Sequence, residues 1–115
     1  MNERDEVYLK HVLEYLSRIE GSMSGKSKDD LENDVDLLDS TLRRIEVIGE
    51  AVKNISSELK AQYPDVEWKG IIGTRDKLIH AYFKVDMDIV WDVVENELPK
   101  LKEQINSIMN ERLIK

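Results

Sequence analysis

Apolar side chains recur at intervals of three and four along almost the whole chain, a spacing that places them on one face of an α-helix. Strand-like alternation is nearly absent, so a sheet-based fold is excluded from the start. The first run covers about residues 3–19, with Val7, Leu9, Val12, Leu13, Leu16 and Ile19 on one broad face and Tyr8 and Tyr15 beside it. Residues 21–27 are rich in glycine and serine and lack periodicity, which predicts a loop. A second run, Leu31, Val35, Leu38, Leu42, Ile45, Ile48, Val52, Ile55 and Leu59, predicts one helix over roughly 28–62. At 1.5 Å per residue that helix is about 50 Å long, more than a small domain needs for its own core, and predicts a partner surface. Gly49 beside the stripe predicts a close approach of another backbone, since glycine otherwise weakens a helix interior.

Tyr63-Pro64-Asp65 ends the second run, because proline disfavours helical geometry in the residue before it. A third, shorter helix is expected from Trp68 or Lys69 to near His80. Val85-Asp86-Met87-Asp88 reads as the next helix start, with aspartates suited to capping. Val90, Val94, Leu98, Leu101, Ile105 and Ile108 then keep helical register across Pro99, whose missing N–H removes the bond to the carbonyl of Glu95. The expected fold is all-α: an antiparallel bundle of four to five helices in one domain spanning 1–115, the last helix kinked or broken at Pro99.

A chain of 115 residues suits one core rather than two. It has no cysteine, which excludes disulfides, thiolate metal sites and thiol nucleophiles and fits a reducing compartment. The charged start, Met1-Asn2-Glu3-Arg4-Asp5-Glu6, lacks the apolar core of a signal peptide. No apolar run approaches the roughly 20 residues of a membrane span, so a cytoplasmic protein without membrane contact is expected. The net charge of −7 argues against a broad basic surface for nucleic acid, and any RNA site must be local. One stretch runs against that charge: between Trp68 and Lys84, Lys69, Arg75, Lys77 and Lys84 face Asp76 alone.

Few residues can carry chemistry. Two histidines cannot build a multi-histidine metal site within one chain, and no calcium loop or phosphate-binding glycine loop is present. No cofactor is expected. Glu46 and Glu50, one helical turn apart, read as a solvated face or an ion pair with Arg43, and His11 as a surface or structural residue beside the first apolar stripe. His80 differs in its company, with Arg75, Asp76, Lys77 and Tyr82 close by in the one basic stretch. Metal-free RNA cleavage needs a base for the 2′-hydroxyl proton, an acid for the leaving 5′-oxygen and a cation for the charge on phosphorus. His80 and Arg75 match two of these roles, and Tyr82 can position phosphate or donate a proton. The other proton-transfer group must come from a symmetry mate, from Tyr82 or from water.

On one ideal helix Arg75 and His80 point about 140° apart, whereas Asp76 and His80 are one turn apart. Either the helix ends near His80 and the chain turns, or two copies bring their motifs together across a two-fold axis. The long second helix favours the latter.

Arg75, His80 and Tyr82, with four residues and then one between them, resemble the signature of the HEPN-superfamily ribonucleases, and the flanks resemble its HepT-like branch. The flanks are Arg44-Ile45-Glu46, Ile48-Gly49-Glu50-Ala51, Pro64, Trp68, Tyr82-Phe83-Lys84-Val85-Asp86, Val90-Trp91 and Leu98-Pro99. The resemblance implies a HEPN-like helical homodimer. Its implied activity is that of a metal-independent endoribonuclease, the toxin of a type VII-like toxin–antitoxin pair. The implied partner is a nucleotidyltransferase of the MNT type that transfers AMP to the motif tyrosine. Arg75 and His80 thereby become the expected catalytic residues, Asp76, Lys77 and Tyr82 supporting ones, and Tyr82 the AMP acceptor. The polar position after the arginine, often asparagine in the family, is Asp76 here, which either orients His80 or repels RNA phosphate. The alternative is a non-catalytic nucleotide-binding or antitoxin-like partner of a nucleotidyltransferase.

Overall fold

The first helix, α1 (Glu3–Met23), starts where Asn2 caps it: the Asn2 side chain accepts the backbone N–H of Asp5 at 2.7 Å, and Glu3, Asp5 and Glu6 favour its positive end. In this computed structural model the description covers residues 1–80 and 84–114, without the side chains of Arg75, Ile79, His80, Lys84, Leu113 and Ile114. Helix α1 runs past the expected loop start. Gly21, Ser22 and Met23 are helical because the Ser22 hydroxyl bonds back to the Arg18 carbonyl and Met23 is buried. The loop begins at Ser24, and Gly25 takes the left-handed conformation, φ 73°, that a glycine permits.

The single long second helix expected over 28–62 is three helices: α2 (Lys28–Asn33), α3 (Val35–Lys53) and α4 (Ser57–Gln62). Capping chemistry divides them although the apolar spacing runs on. Ser27 and Asp30 form a reciprocal capping box on α2. The Asp34 carboxylate accepts the Leu37 N–H and starts α3 afresh, and Ser56 caps α4 through the Leu59 N–H. Helix α3 is thus about 28 Å long, within the molecule's 46 Å long axis, and helix length no longer argues for a partner surface.

Helices α1 and α3 run antiparallel. Asp5, near the start of α1, accepts from Ser56 just beyond the end of α3, and Arg44 of α3 donates to Arg18 and Ser22 near the end of α1. Short helices α5 (Trp68–Ile72) and α6 (Thr74–Leu78) follow, and the chain then forms a two-residue antiparallel pairing of β1 (Ile79–His80) with β2 (Lys84–Val85). Asp86 caps α7 (Met87–Asp92) by accepting from Asp88 and Ile89, as the sequence predicts. Between α7 and α8 (Leu98–Ile114) lies a π-helical turn, Val93–Glu97. That turn interrupts the α-helical ladder just ahead of Pro99, while the chain stays helical from Met87 to Ile114.

Leu9, Val12 and Leu16 of α1, Ile45, Ile48 and Val52 of α3, and Leu101, Ile105 and Ile108 of α8 form the centre of one buried cluster. Lys102 reaches Glu20 at 2.8 Å across the α1–α8 seam. The far end of α8 closes on the α4–α5 connection, where Tyr63 donates to Glu111 and Gln104 donates to the Asp65 carbonyl. The fold is an all-α bundle, as expected, with more breaks than the periodicity reveals. Among the described residues no helix is long and apolar enough to cross a membrane.

Candidate functional site

The motif lies where a helix gives way to an extended segment. The third helix, expected to run unbroken to near His80, is interrupted at Gly73 and ends at Leu78. Gly73 caps α5, donating to the carbonyls of Lys69 and Ile71, and Thr74 restarts the helix. The Thr74 hydroxyl is nearly buried and donates to the Gly70 carbonyl at 2.8 Å, which ties α6 back to α5. Leu78 is 1 % exposed and anchors the end of α6 in the core. Beyond it Ile79 pairs with Val85 and His80 with Lys84, and the Leu78 carbonyl accepts the Asp86 N–H at 3.0 Å.

Arg75 therefore belongs to a helix and His80 to an extended strand. Of the two arrangements the sequence left open, the helix ends and the chain turns within one copy. A single straight helix no longer forces the two residues apart. The side chains of Arg75 and His80 are outside the described residues, as is the whole of Tyr82.

Asp76 and Lys77 are exposed on α6. Asp76 does have an interaction partner. The Lys77 ammonium folds back over α5, lying 3.9 Å from where a Cβ on Gly70 would stand.

Helix α3 supports this corner from beneath. A Cβ on Gly49 would stand 3.4 Å from the Ile71 carbonyl oxygen and 3.6 Å from that of Ile72, so the close approach predicted for this glycine is made against α5. Ile45, Glu46, Gly49 and Glu50 line a narrow cleft with Ile71 and Ile72. Glu46 also pairs with Arg43 at 3.7 Å, the ion pair that the sequence predicts for it. Its position under the motif corner was not evident from its own surroundings. The clue was its place one turn before Glu50, on the flank of α3 that Gly49 marks. Arg44, part of the resembling flank, serves the fold: its guanidinium holds the end of α1. No group of three or more carboxylates and histidines is gathered as for a metal ion among the described residues.

The family model described as ribonuclease HepT-like matches residues 12–108, which include the motif and the elements that frame it. A protein of Methanocaldococcus jannaschii named "gamma-glutamylcyclotransferase and putative RNase" is 42% identical over 111 residues. That match takes in 96% of this chain and 50% of the relative, so the chain spans about half the length of that two-activity protein. A "putative RNase" of Caldanaerobacter subterraneus subsp. tengcongensis is 39% identical, with 89% of this chain and 91% of the relative covered. A "probable ribonuclease HepT" of Thermococcus cleftensis is 33% identical, with 94% and 98% covered. No solved structure matches the chain. With the family model spanning most of the sequence and these relatives aligned nearly end to end, the chain belongs to the HepT-like ribonuclease family.

Proposed function

We propose that the chain is a metal-independent endoribonuclease whose motif residues Arg75 and His80 carry the reaction. The observation that carries this reading is the Arg75, His80, Tyr82 pattern inside the family match over residues 12–108. The end of α6 at Leu78 supports it, because the arginine and histidine then lie on two elements meeting at a corner. In the reaction the RNA 2′-oxygen attacks the adjacent phosphorus and loses its proton to a base, while the 5′-oxygen leaves and takes a proton from an acid. The products are a 2′,3′-cyclic phosphate and a 5′-hydroxyl. His80 serves one proton transfer and the Arg75 guanidinium balances the charge on the phosphoryl oxygens. Lys77 and Asp76 support the site from the exposed side of α6.

The working form is a homodimer in the cytoplasm, each chain folding as one domain. One motif histidine per chain leaves a proton-transfer role open for a symmetry mate. Val35, 69 % exposed at the head of α3 with half-buried Leu38 and Leu42 on the following turns, supplies an apolar edge for association. Control is by a nucleotidyltransferase partner in a toxin–antitoxin pair. The Tyr82 hydroxyl oxygen attacks the α-phosphorus of ATP, pyrophosphate leaves, and the hydroxyl proton is released. The bound AMP then blocks the site and repels RNA phosphate.

Purified protein incubated with RNA in EDTA should produce cyclic-phosphate ends, and both His80→Ala and Arg75→Ala should abolish them. Unchanged cleavage in both variants would sink the proposal. For the control step, intact mass after exposure to the partner and ATP should rise by AMP units in the native chain and not in Tyr82→Phe.

A further inference from the structure

The outward flank of α1 carries Arg4, Tyr8, His11, Tyr15 and Arg18 at alternating steps of four and three. At 3.6 residues per turn these five side chains fall within about 80° of one another and extend over about 21 Å of the helix. The flank borders the core, against which the two rings pack while staying partly exposed. Arg4, His11 and Arg18 are exposed and the two tyrosines half-buried. The side chains touch in sequence: the Arg4 guanidinium lies 5.8 Å from the Tyr8 ring centre, Tyr8 meets His11 edge to face at 6.5 Å, and Arg18 lies 4.8 Å from the Tyr15 ring centre. Arg44 joins from α3, with its guanidinium on the Arg18 carbonyl at 3.2 Å and the Ser22 hydroxyl at 2.8 Å. In a chain of net charge −7, two of four tyrosines and one of two histidines are thus gathered with arginines on one strip.

We infer that this flank of α1 is a track for single-stranded RNA, separate from the motif, on which unpaired bases stack while arginines hold the phosphates. The inference rests on the reading that RNA is the substrate and adds where the strand runs. Rings set between cations are what single strands require, because every base has a face that stacks on an aromatic ring or a guanidinium plane. An acidic protein segment would be served by the cations alone and would make no use of the ring faces that the core leaves uncovered. A second copy packed strip to strip about a two-fold axis near His11 would set Arg4 against Arg18, cation against cation. Arg18 also pairs with Glu14 at 2.6 Å, an exposed contact that a phosphate can displace because such pairs are weak.

The track and the motif lie on different flanks of α3. Arg44 faces α1 and Gly49 faces α5, and five helical residues turn through about 140°. The strip therefore positions a longer strand and does not touch the reacting phosphate.

Binding is to be read by fluorescence anisotropy with a labelled single-stranded oligoribonucleotide, in EDTA and in a His80→Ala background so that the probe is not consumed. Tyr8→Ala and Tyr15→Ala should each weaken binding roughly tenfold. Tyr8→Phe and Tyr15→Phe, which keep the rings, should retain the native affinity and guard against loss through misfolding. Arg4→Gln and Arg18→Gln, at exposed positions, should each lower the slope of log affinity against log salt by about 0.7. Native affinity in the Tyr8→Ala/Tyr15→Ala double variant overturns the inference, including the case in which the arginines alone matter, as they would for an acidic protein partner. Failure of the native chain to cleave RNA is a different result: it removes the ribonuclease reading, while the track is judged on binding alone.

Discussion

Replacing Asp5 by alanine should be among the most damaging single changes outside the apolar core. The Asp5 side chain is 2 % exposed although it belongs to the first turn of α1. One carboxylate oxygen accepts the Ser56 backbone N–H at 2.8 Å and the other accepts the Ser56 hydroxyl at 2.6 Å. The same hydroxyl accepts the Leu59 N–H at 3.1 Å, so one carboxylate orients the residue that starts α4. Hydrogen bonds to a charged group contribute about 1.5–3 kcal/mol each, and the alanine also strands a donor away from water. Removing the burial cost of the carboxylate offsets part of this, leaving a net loss of about 3 kcal/mol. For a chain of this size that lowers Tm by roughly 10 °C. Asp5→Asn keeps one acceptor and should lose about half as much. Urea unfolding followed by circular dichroism measures both, and a cycle with Ser56→Ala should give a coupling of at least 1 kcal/mol. A loss below about 0.5 kcal/mol for Asp5→Ala would refute the idea that this contact ties α1 to the α3–α4 junction.

Gly49→Ala should be nearly neutral, within about 1 kcal/mol, since its Cβ would just touch the Ile71 carbonyl while the helix gains propensity. Gly49→Val should cost about 1–3 kcal/mol and displace α5, with cleavage lost under conditions where the protein stays folded. The Thr41 hydroxyl is fully buried without a hydrogen-bond partner among the described residues, so Thr41→Val should raise stability by about 1 kcal/mol in the same urea assay. The backbone N–H and then the hydroxyl of Ser27 hold the Asp30 carboxyl below its ordinary value of 3.8. The stabilisation from this pair is therefore complete above that value and is lost as pH falls through the lower, folded-state value. Acid unfolding followed by circular dichroism should show this limb flattened in Asp30→Asn.

The helical class, the cap at Asp86 and the interruption before Pro99 are set by neighbours in sequence and were legible for that reason. The close contact at Gly49 is made with α5, far along the chain, and was legible only because a glycine inside a helix needs a cause. The divisions of the second run were not. Its apolar residues keep their spacing across Asp34 and Ser56, and the partner that fixes Ser56 is 51 positions away at Asp5. Met23 made the opposite case: a Gly-Ser stretch reads as loop until the buried methionine behind it is known. For the site, residue types were visible and elements were not. A two-residue pairing such as Ile79 with Val85 has too few positions to leave a periodic trace. The strip on α1 was hidden for a different reason: its rings stand one turn and its arginines two turns from His11, so no short stretch of sequence holds the pattern.

The corner that carries the motif is built by Thr74, Leu78, Val85 and Asp86, through burial and main-chain bonds, and Arg75, His80 and Tyr82 alternate with these positions in the sequence. Scaffold and chemistry are thus written in interleaved letters. A change at a frame letter such as Leu78 or Asp86 would re-aim the motif without altering one of its residues, so loss of activity in such a variant reports on the frame.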